Sequence, residues 1–210
     1  TLSPAYSHLY LCIAGELAAV ICIHDPLRRE ARDAVAALHA CGIGKVVMMT
    51  GDNRQTAQAV AREVGVDAVY AEVLPEDKAA FIRSEKAAGH TVIMVGDGVN
   101  DSPALSEADA GVAISTGAAI AREIADITIA SEDLFELVTL RRLSQALMAR
   151  IHRNYRFIVG FNLSLILLGV AGLLPPTTSA LLHNMSTLGI SLKSMTDLGP
   201  ELPSPTPAER

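Results

Sequence analysis

Thr91-Val92-Ile93-Met94-Val95-Gly96-Asp97-Gly98-Val99-Asn100-Asp101 (TVIMVGDGVND) is an apolar, β-branched run that breaks into a glycine-rich turn carrying two carboxylates four residues apart. A short run apolar at nearly every position is the pattern of a strand buried on both faces, and such strands belong to parallel sheets. Two aspartates at the end of that strand suit a hard divalent cation, because Mg2+ takes carboxylate, phosphate and water oxygens. Glycines on either side of Asp97 let the backbone approach a bound ligand closely.

The surrounding sequence supplies the rest of the sheet. Upstream, HLYLCIAGELAAVICIHD is two apolar runs joined at Ala14-Gly15-Glu16, the pattern of a hairpin, and Asp25-Pro26 stops the second run. The period then changes: REARDAVAALHACG is helical, with glycine just past its end, and KVVMMTGDN is a short strand entering a polar turn. RQTAQAVAREVG is a second helix, AVYAEVL a strand, and PEDKAAFIRSEKAAG a helix with proline at its first position. Beyond the aspartates, SPALSEAD, AGVAI, GAAIAREIA and DITIA continue the alternation. The expected fold is α/β and Rossmann-like, a parallel sheet with helices on both faces.

Both polar turns, Thr50-Gly51-Asp52 and Gly96-Asp97-Gly98, fall at the C-terminal ends of strands, the edge at which open α/β sheets bind ligands. Thr50 and Gly51 offer a hydroxyl and backbone N–H groups to phosphoryl oxygens. Lys78, early in the helix that Pro75 opens, is placed to neutralise their charge. Phosphoryl transfer needs mainly positioning and charge neutralisation, which these parts supply. An isolated Gly-Asp turn is common and mostly structural; three such features in order on successive strand ends are far more specific.

From Ser131 the composition shifts. Ser131 is a good N-cap, with Glu132 and Asp133 in the first turn, and the following helix runs without glycine or proline into IVGFNLSLILLGVAGLL. Phe157 to Leu174 has only Asn162 and Ser164 as polar residues, which predicts a membrane span. Pro175-Pro176 turns the chain, and TTSALLHNMSTLGISLKSM is a second, more polar span. Arg141, Arg142, Arg150, Arg153 and Arg156 mark their end of the first span as cytoplasmic, which puts residues 1–156 and the C-terminal tail in the cytoplasm and makes the lipid bilayer a partner. Polar groups inside spans are functional suspects. Asn162, His183, Asn184 and Thr187 are the candidate ligands of a cation path; Ser164, Ser186 and Ser191 are read as interhelical glue. Lys193 is expected to snorkel to the interface.

A net charge of −6 argues against nucleic acid as a partner, and three cysteines (Cys12, Cys22, Cys41) show no metal-ligand spacing. The chain begins with threonine and is expected to be the C-terminal piece of a longer protein.

MMTGDN, LPEDK and MVGDGVNDSPAL resemble the phosphorylation domain of P-type ATPases, in the haloacid dehalogenase-like superfamily. Two spans after that domain resemble the heavy-metal-transporting subclass. The resemblance covers nearly the whole chain. It implies residues 1–24 as the end of a nucleotide-binding domain with its return strand, 25–133 as most of the phosphorylation domain, with Asp25-Pro26-Leu27-Arg28 leading into it, 134–156 as a stalk helix, 157–196 as a transmembrane pair and 197–210 as a disordered tail. It implies Mg2+ on Asp97, with Asp101 holding its shell, and Asn100, Thr50 and Gly51 on the phosphoryl group. Lys78 neutralises charge, Asp52 orients its neighbours, and ATP is the phosphoryl donor.

The family's acceptor aspartate lies in a DKTGT motif, which is absent here. The nucleophile, nucleotide-binding domain and earlier transmembrane helices are therefore expected upstream, and the fragment alone is expected to be inactive. The copper(I) members' Tyr-Asn and Met-with-serines are replaced by Phe161-Asn162 and HNMST, which favours zinc, manganese, nickel or cobalt over Cu+. Two alternatives stand beside this reading: a membrane-anchored phosphatase of the same superfamily, whose DxDx(T/V) motif is absent, and a non-catalytic truncated paralogue.

Overall fold

The structure is a computed structural model. It describes residues 7–23, 27–96, 99–114, 123–130 and 133–198. Asp97, Gly98, Asp25-Pro26, Ser131-Glu132, the helix expected over GAAIAREIA up to Arg122, and the tail from 199 lie outside the described residues. The chain divides into two compact units, Thr1–Val138 and Thr139–Arg210.

The first unit opens with an antiparallel hairpin, β1 (Ser7–Ile13) and β2 (Glu16–Ile23), joined by Ala14-Gly15. Its apolar side chains at Leu9, Leu11, Ile13, Leu17 and Ile21 are exposed.

Strands and helices then alternate as the sequence predicts: α1 (Ala31–Ala40), β3 (Val47–Met49), α2 (Arg54–Val64), β4 (Ala68–Tyr70), α3 (Pro75–Ala87) and β5 (Ile93–Gly96). A single 3-10 turn, Val99–Asp101, leads into α4 (Ser102–Glu107), β6 (Ala110–Ile114) and β7 (Ile127–Ile129). All pairings after the hairpin are parallel, but they form two pieces, β3–β4 and β5-β6-β7, instead of the one sheet expected. Among the described residues β3 is paired with β4 alone and β5 with β6 alone. Consequently β6 is the buried strand, with Val112 1% and Ala113 0% exposed. β5, expected to be covered on both faces, leaves Ile93 45% and Val95 38% exposed, because its piece of sheet ends there.

Helix faces build the rest of the core. Ala37 and Cys41 from the end of α1 bury against Val138, with Leu38 and Phe135 packed around them. Ala79 and Ile82 are the buried face of α3, which packs on α4, where Ala104 and Leu105 are wholly enclosed.

The long helix α5 (Phe135–Val170) begins in the first unit and continues into the second, which is completed by α6 (Pro176–Ser194). One expectation is corrected here. The apolar run to Leu174 is not helical throughout, because α5 stops at Val170: Gly172 takes φ +74°, its N–H returns to Gly169 O, and Leu173 N–H donates to Leu168 O at 3.0 Å. This is a helix stop with glycine in the left-handed region. The helical part, Phe157 to Val170, is about 21 Å long, short of a bilayer core of roughly 30 Å. Among the described residues no helix is long and apolar enough to cross a membrane.

Candidate functional site

The C-terminal ends of β3 and β5 carry the polar turns, and the start of α3 lies next to both. After β3, Thr50 N–H donates to Tyr70 O and Val73 N–H donates to Thr50 O, each at 3.0 Å, so the turn is held against the segment entering α3. Thr50 Oγ1 donates to Asp52 Oδ2 at 3.0 Å and accepts from Asp52 N–H at 3.1 Å. Asp52 therefore holds the threonine hydroxyl from both sides of the turn. Gly51 is exposed at the tip of this turn. Asn53 then caps α2, its Oδ1 accepting from Thr56 N–H at 2.9 Å.

Leu74 is extended and Pro75 opens α3, with Leu74 N–H held by Asp77 Oδ2 at 3.2 Å. That start puts Lys78 one turn into the helix. Its Nζ lies 2.7 Å from Asp101 Oδ1, and the two side chains are only 16% and 13% exposed. Asp101 closes the 3-10 turn, in which Asn100 is exposed, and is the N-cap residue of α4.

Gly96, the last residue of β5, makes this placement possible. A Cβ there would meet Asp101 Cβ at 2.8 Å and Oδ2 at 2.9 Å. The carboxylate thus folds back over the strand end only because residue 96 has no side chain. The sequence assigned the glycines to ligand approach; the contact to Asp101 was legible only as spacing.

The structure joins Lys78 to Asp101 and Thr50 to Asp52, and ties the second pair to the segment that leads into the helix of the first. Asp97 lies outside the described residues, between Gly96 and the 3-10 turn. The carboxylate described at the β5 end is of the kind Mg2+ takes: Asp101 engages Lys78 through Oδ1, and its Oδ2 stands at the C-terminal end of β5.

Residues 3–109 match the family of haloacid dehalogenase-like hydrolases. The chain belongs to that family. Within this haloacid dehalogenase-like chain, 176 residues are 46% identical to copper-transporting ATPase 2 of Rhizobium meliloti, covering 84% of the chain and 21% of the relative. A manganese-exporting P-type ATPase of Mycobacterium tuberculosis is 40% identical over 191 residues, 90% of the chain and 27% of the relative. The crystal structure of a zinc-transporting PIB-type ATPase in the E2.Pi state superposes with a TM-score of 0.80 at 29% identity, over 92% of the chain and 32% of that structure. The chain thus spans about a quarter of the length of the curated relatives it matches. The resemblance to heavy-metal P-type ATPases holds.

The second unit of this haloacid dehalogenase-like chain carries a separate polar cluster. His183 Nδ1 is 2.8 Å from Asn162 Oδ1, so α5 and α6 are antiparallel at the register that brings these residues together. An amide oxygen only accepts, so Nδ1 is the donor in this contact. A groove of about 720 Å³ is lined by Asn162, His183, Asn184 and Ser179 among apolar side chains such as Ile166 and Val170. Thr187 is not in the lining; its hydroxyl donates to His183 O at 3.0 Å. Ser164 and Ser186 are corrected as well. Each bonds its own helix, to Gly160 O and His183 O, instead of bridging the two.

Proposed function

We propose that this chain is the phosphorylation-domain and closing-helix portion of an ATP-driven heavy-metal transporter that works through an aspartyl phosphate. The observation that carries the reading is the enclosed Lys78–Asp101 pair at the strand end that also bears Asp97, beside the Thr50-Gly51-Asp52 turn.

In this reading a carboxylate oxygen of an aspartate from the upstream polypeptide attacks the γ-phosphorus of ATP. The new P–O bond forms as the bond to the β-phosphate oxygen breaks, and ADP leaves. Water later hydrolyses the acyl phosphate. Thr50 Oγ1, oriented by Asp52, donates to a phosphoryl oxygen, together with the N–H of Gly51 and the amide of Asn100. Lys78 keeps one N–H on Asp101 and directs another to the phosphoryl group, so that its positive charge offsets charge in the transition state. Mg2+, held by Asp97 with Asp101 behind it, supplies further charge neutralisation when bound.

Among the described residues β3 pairs with β4 alone and β5 with β6 alone, which supports an acceptor strand from outside this chain. Exposed apolar strand edges invite a further strand.

We further read α5 and α6 as the last membrane pair. The chain's similarity to metal-transporting ATPases supports this, as does the pairing of Asn162 with His183 in an otherwise apolar setting. The remaining transmembrane helices of the same polypeptide flank them, and the short helical part of the Phe157 run is accommodated by that surrounding protein. His183 Nε2 and Asn184 are the cargo ligands; Asn162 orients the imidazole. Imidazole and amide donors favour a divalent zinc, manganese, nickel or cobalt ion as substrate over Cu+.

Metal-stimulated ATPase activity of the intact protein across a panel of divalent ions and Cu+ tests the reading. Stimulation by at least one metal, lost in Asp101→Asn, is expected. Metal-independent hydrolysis of small phosphate esters would favour the membrane-anchored phosphatase instead.

A further inference from the structure

We propose that Arg150 is a positioning residue that fixes the axial register of α6 on α5 and thereby holds His183 opposite Asn162. Its functional consequence rests on the metal-path reading above. Arg150 counts among the five arginines that mark a cytoplasmic helix end, a role that needs only exposure to water. It is instead 4% exposed. Its Nη1 donates to Thr196 O at 2.5 Å and its Nη2 to Asp197 O at 2.8 Å. Both carbonyls lie just past the C-cap of α6 at Met195, where helix carbonyls lack intrahelical donors and the negative end of the helix dipole sits.

A planar guanidinium bonding two successive carbonyls through two nitrogens sets both depth and angle, which a single ammonium cannot do. A second rung lies one turn further along α5, where Asn154 Nδ2 donates to Ser194 Oγ at 3.0 Å. The third rung is the Asn162–His183 pair. From Arg150 to Asn162 α5 advances about 18 Å, and from His183 to Thr196 α6 advances about 20 Å. The spacings match, so both ends of the ladder are satisfied in one register. Apolar contacts between such helices specify sliding weakly, whereas polar rungs specify it sharply. Slippage of one turn at Arg150 displaces His183 by about 5.4 Å, which breaks its bond to Asn162.

The test uses the intact protein in membranes, with cysteines introduced as Asn162→Cys and His183→Cys in a background otherwise free of reactive thiols and bridged by a short bis-thiosulfonate reagent. Cross-linking is expected to fall several-fold when Arg150→Gln is added and to fall less with Arg150→Lys, which keeps the charge and one bond. Arg150→Lys also preserves a readout should Arg150→Gln fail to fold. With residues 162 and 183 native, the half-activating metal concentration is expected to rise about tenfold in Arg150→Gln, with a smaller change in maximal rate. Cross-linking at the parental level in both variants overturns the proposal. Reduced cross-linking with unaltered metal dependence overturns its functional part. A parent without any metal stimulation sinks the transport reading while leaving the clasp intact.

Discussion

Lys78 Nζ lies 2.7 Å from Asp101 Oδ1, and the pair joins the first turn of α3 to the turn after β5 with little solvent around either charge. Removing one partner leaves the other charged, enclosed and unpaired, which costs more than the pair itself contributes. Lys78→Met is therefore expected to destabilise the first unit by about 1–3 kcal/mol, below the fully buried limit because both groups keep some exposure. Lys78→Met/Asp101→Asn should recover most of that. Denaturant unfolding of the four proteins in a double-mutant cycle checks it; additive single effects would mean no coupling.

Gly96→Ala places a methyl group 2.8 Å from Asp101 Cβ. The carboxylate must move away from the strand end, so the variant is expected to lose about 1–3 kcal/mol and to lower the rate of phosphoenzyme formation by more than its stability loss explains. Phosphorylation of the intact variant, measured at a temperature where it remains folded, decides between a local and a global effect.

Asp109 stitches the beginnings of β5 and β6 together. Its Oδ2 accepts from Val92 N–H at 2.8 Å, and Lys86 Nζ lies 3.3 Å from Oδ1. The Val92 N–H above all, with Lys86 adding to it against the opposing effect of burial, holds its carboxyl below the ordinary value of 3.8. A carboxylate whose pKa is depressed by folding contributes stability above its unfolded pKa and loses it as the pH falls through the folded one. Asp109→Asn is thus expected to unfold at lower temperature than the parent at neutral pH, with the gap closing as the pH is taken below about 3.8. A gap that widens in acid would contradict the assignment.

Two glycines inserted near Gln145 interrupt α5 between its anchorage at Val138 and the polar residue Asn162. Each glycine costs roughly 1 kcal/mol of helix propensity and adds a flexible joint. The intact variant is expected to hydrolyse ATP while transporting little metal, assayed by hydrolysis and vesicle uptake side by side. Undiminished transport would show that the helix does not carry the coupling.

Local chemistry in the sequence marked where the candidate site residues fall on their elements. Pro75 announced where α3 starts, and so put Lys78 in its first turn. Glycine-rich turns marked the strand ends. What spacing does not carry is the partner across the fold: Lys78 was assigned to a phosphoryl group, and only packing shows that Asp101 receives it. Gly172 was visible in the apolar run, but hydropathy outweighed it, and the helix end at Val170 was missed. Arg150 looked like one more interfacial cation because its two acceptors are backbone carbonyls, which leave no trace in residue type. The split into two sheet pieces was equally illegible, since each strand is apolar whether or not a neighbour is present.

The central claim is that this site serves a phosphoryl acceptor located on another part of the polypeptide. Its most direct test is to phosphorylate the intact protein with γ-labelled ATP, Mg2+ and the activating metal, quench in acid and map the labelled peptide. The account predicts an acid-stable acyl phosphate on an aspartate upstream of Thr1, abolished by Asp101→Asn and absent when residues 1–210 are incubated alone. Label on any residue between Thr1 and Arg210, or no labelling under any metal, would contradict it.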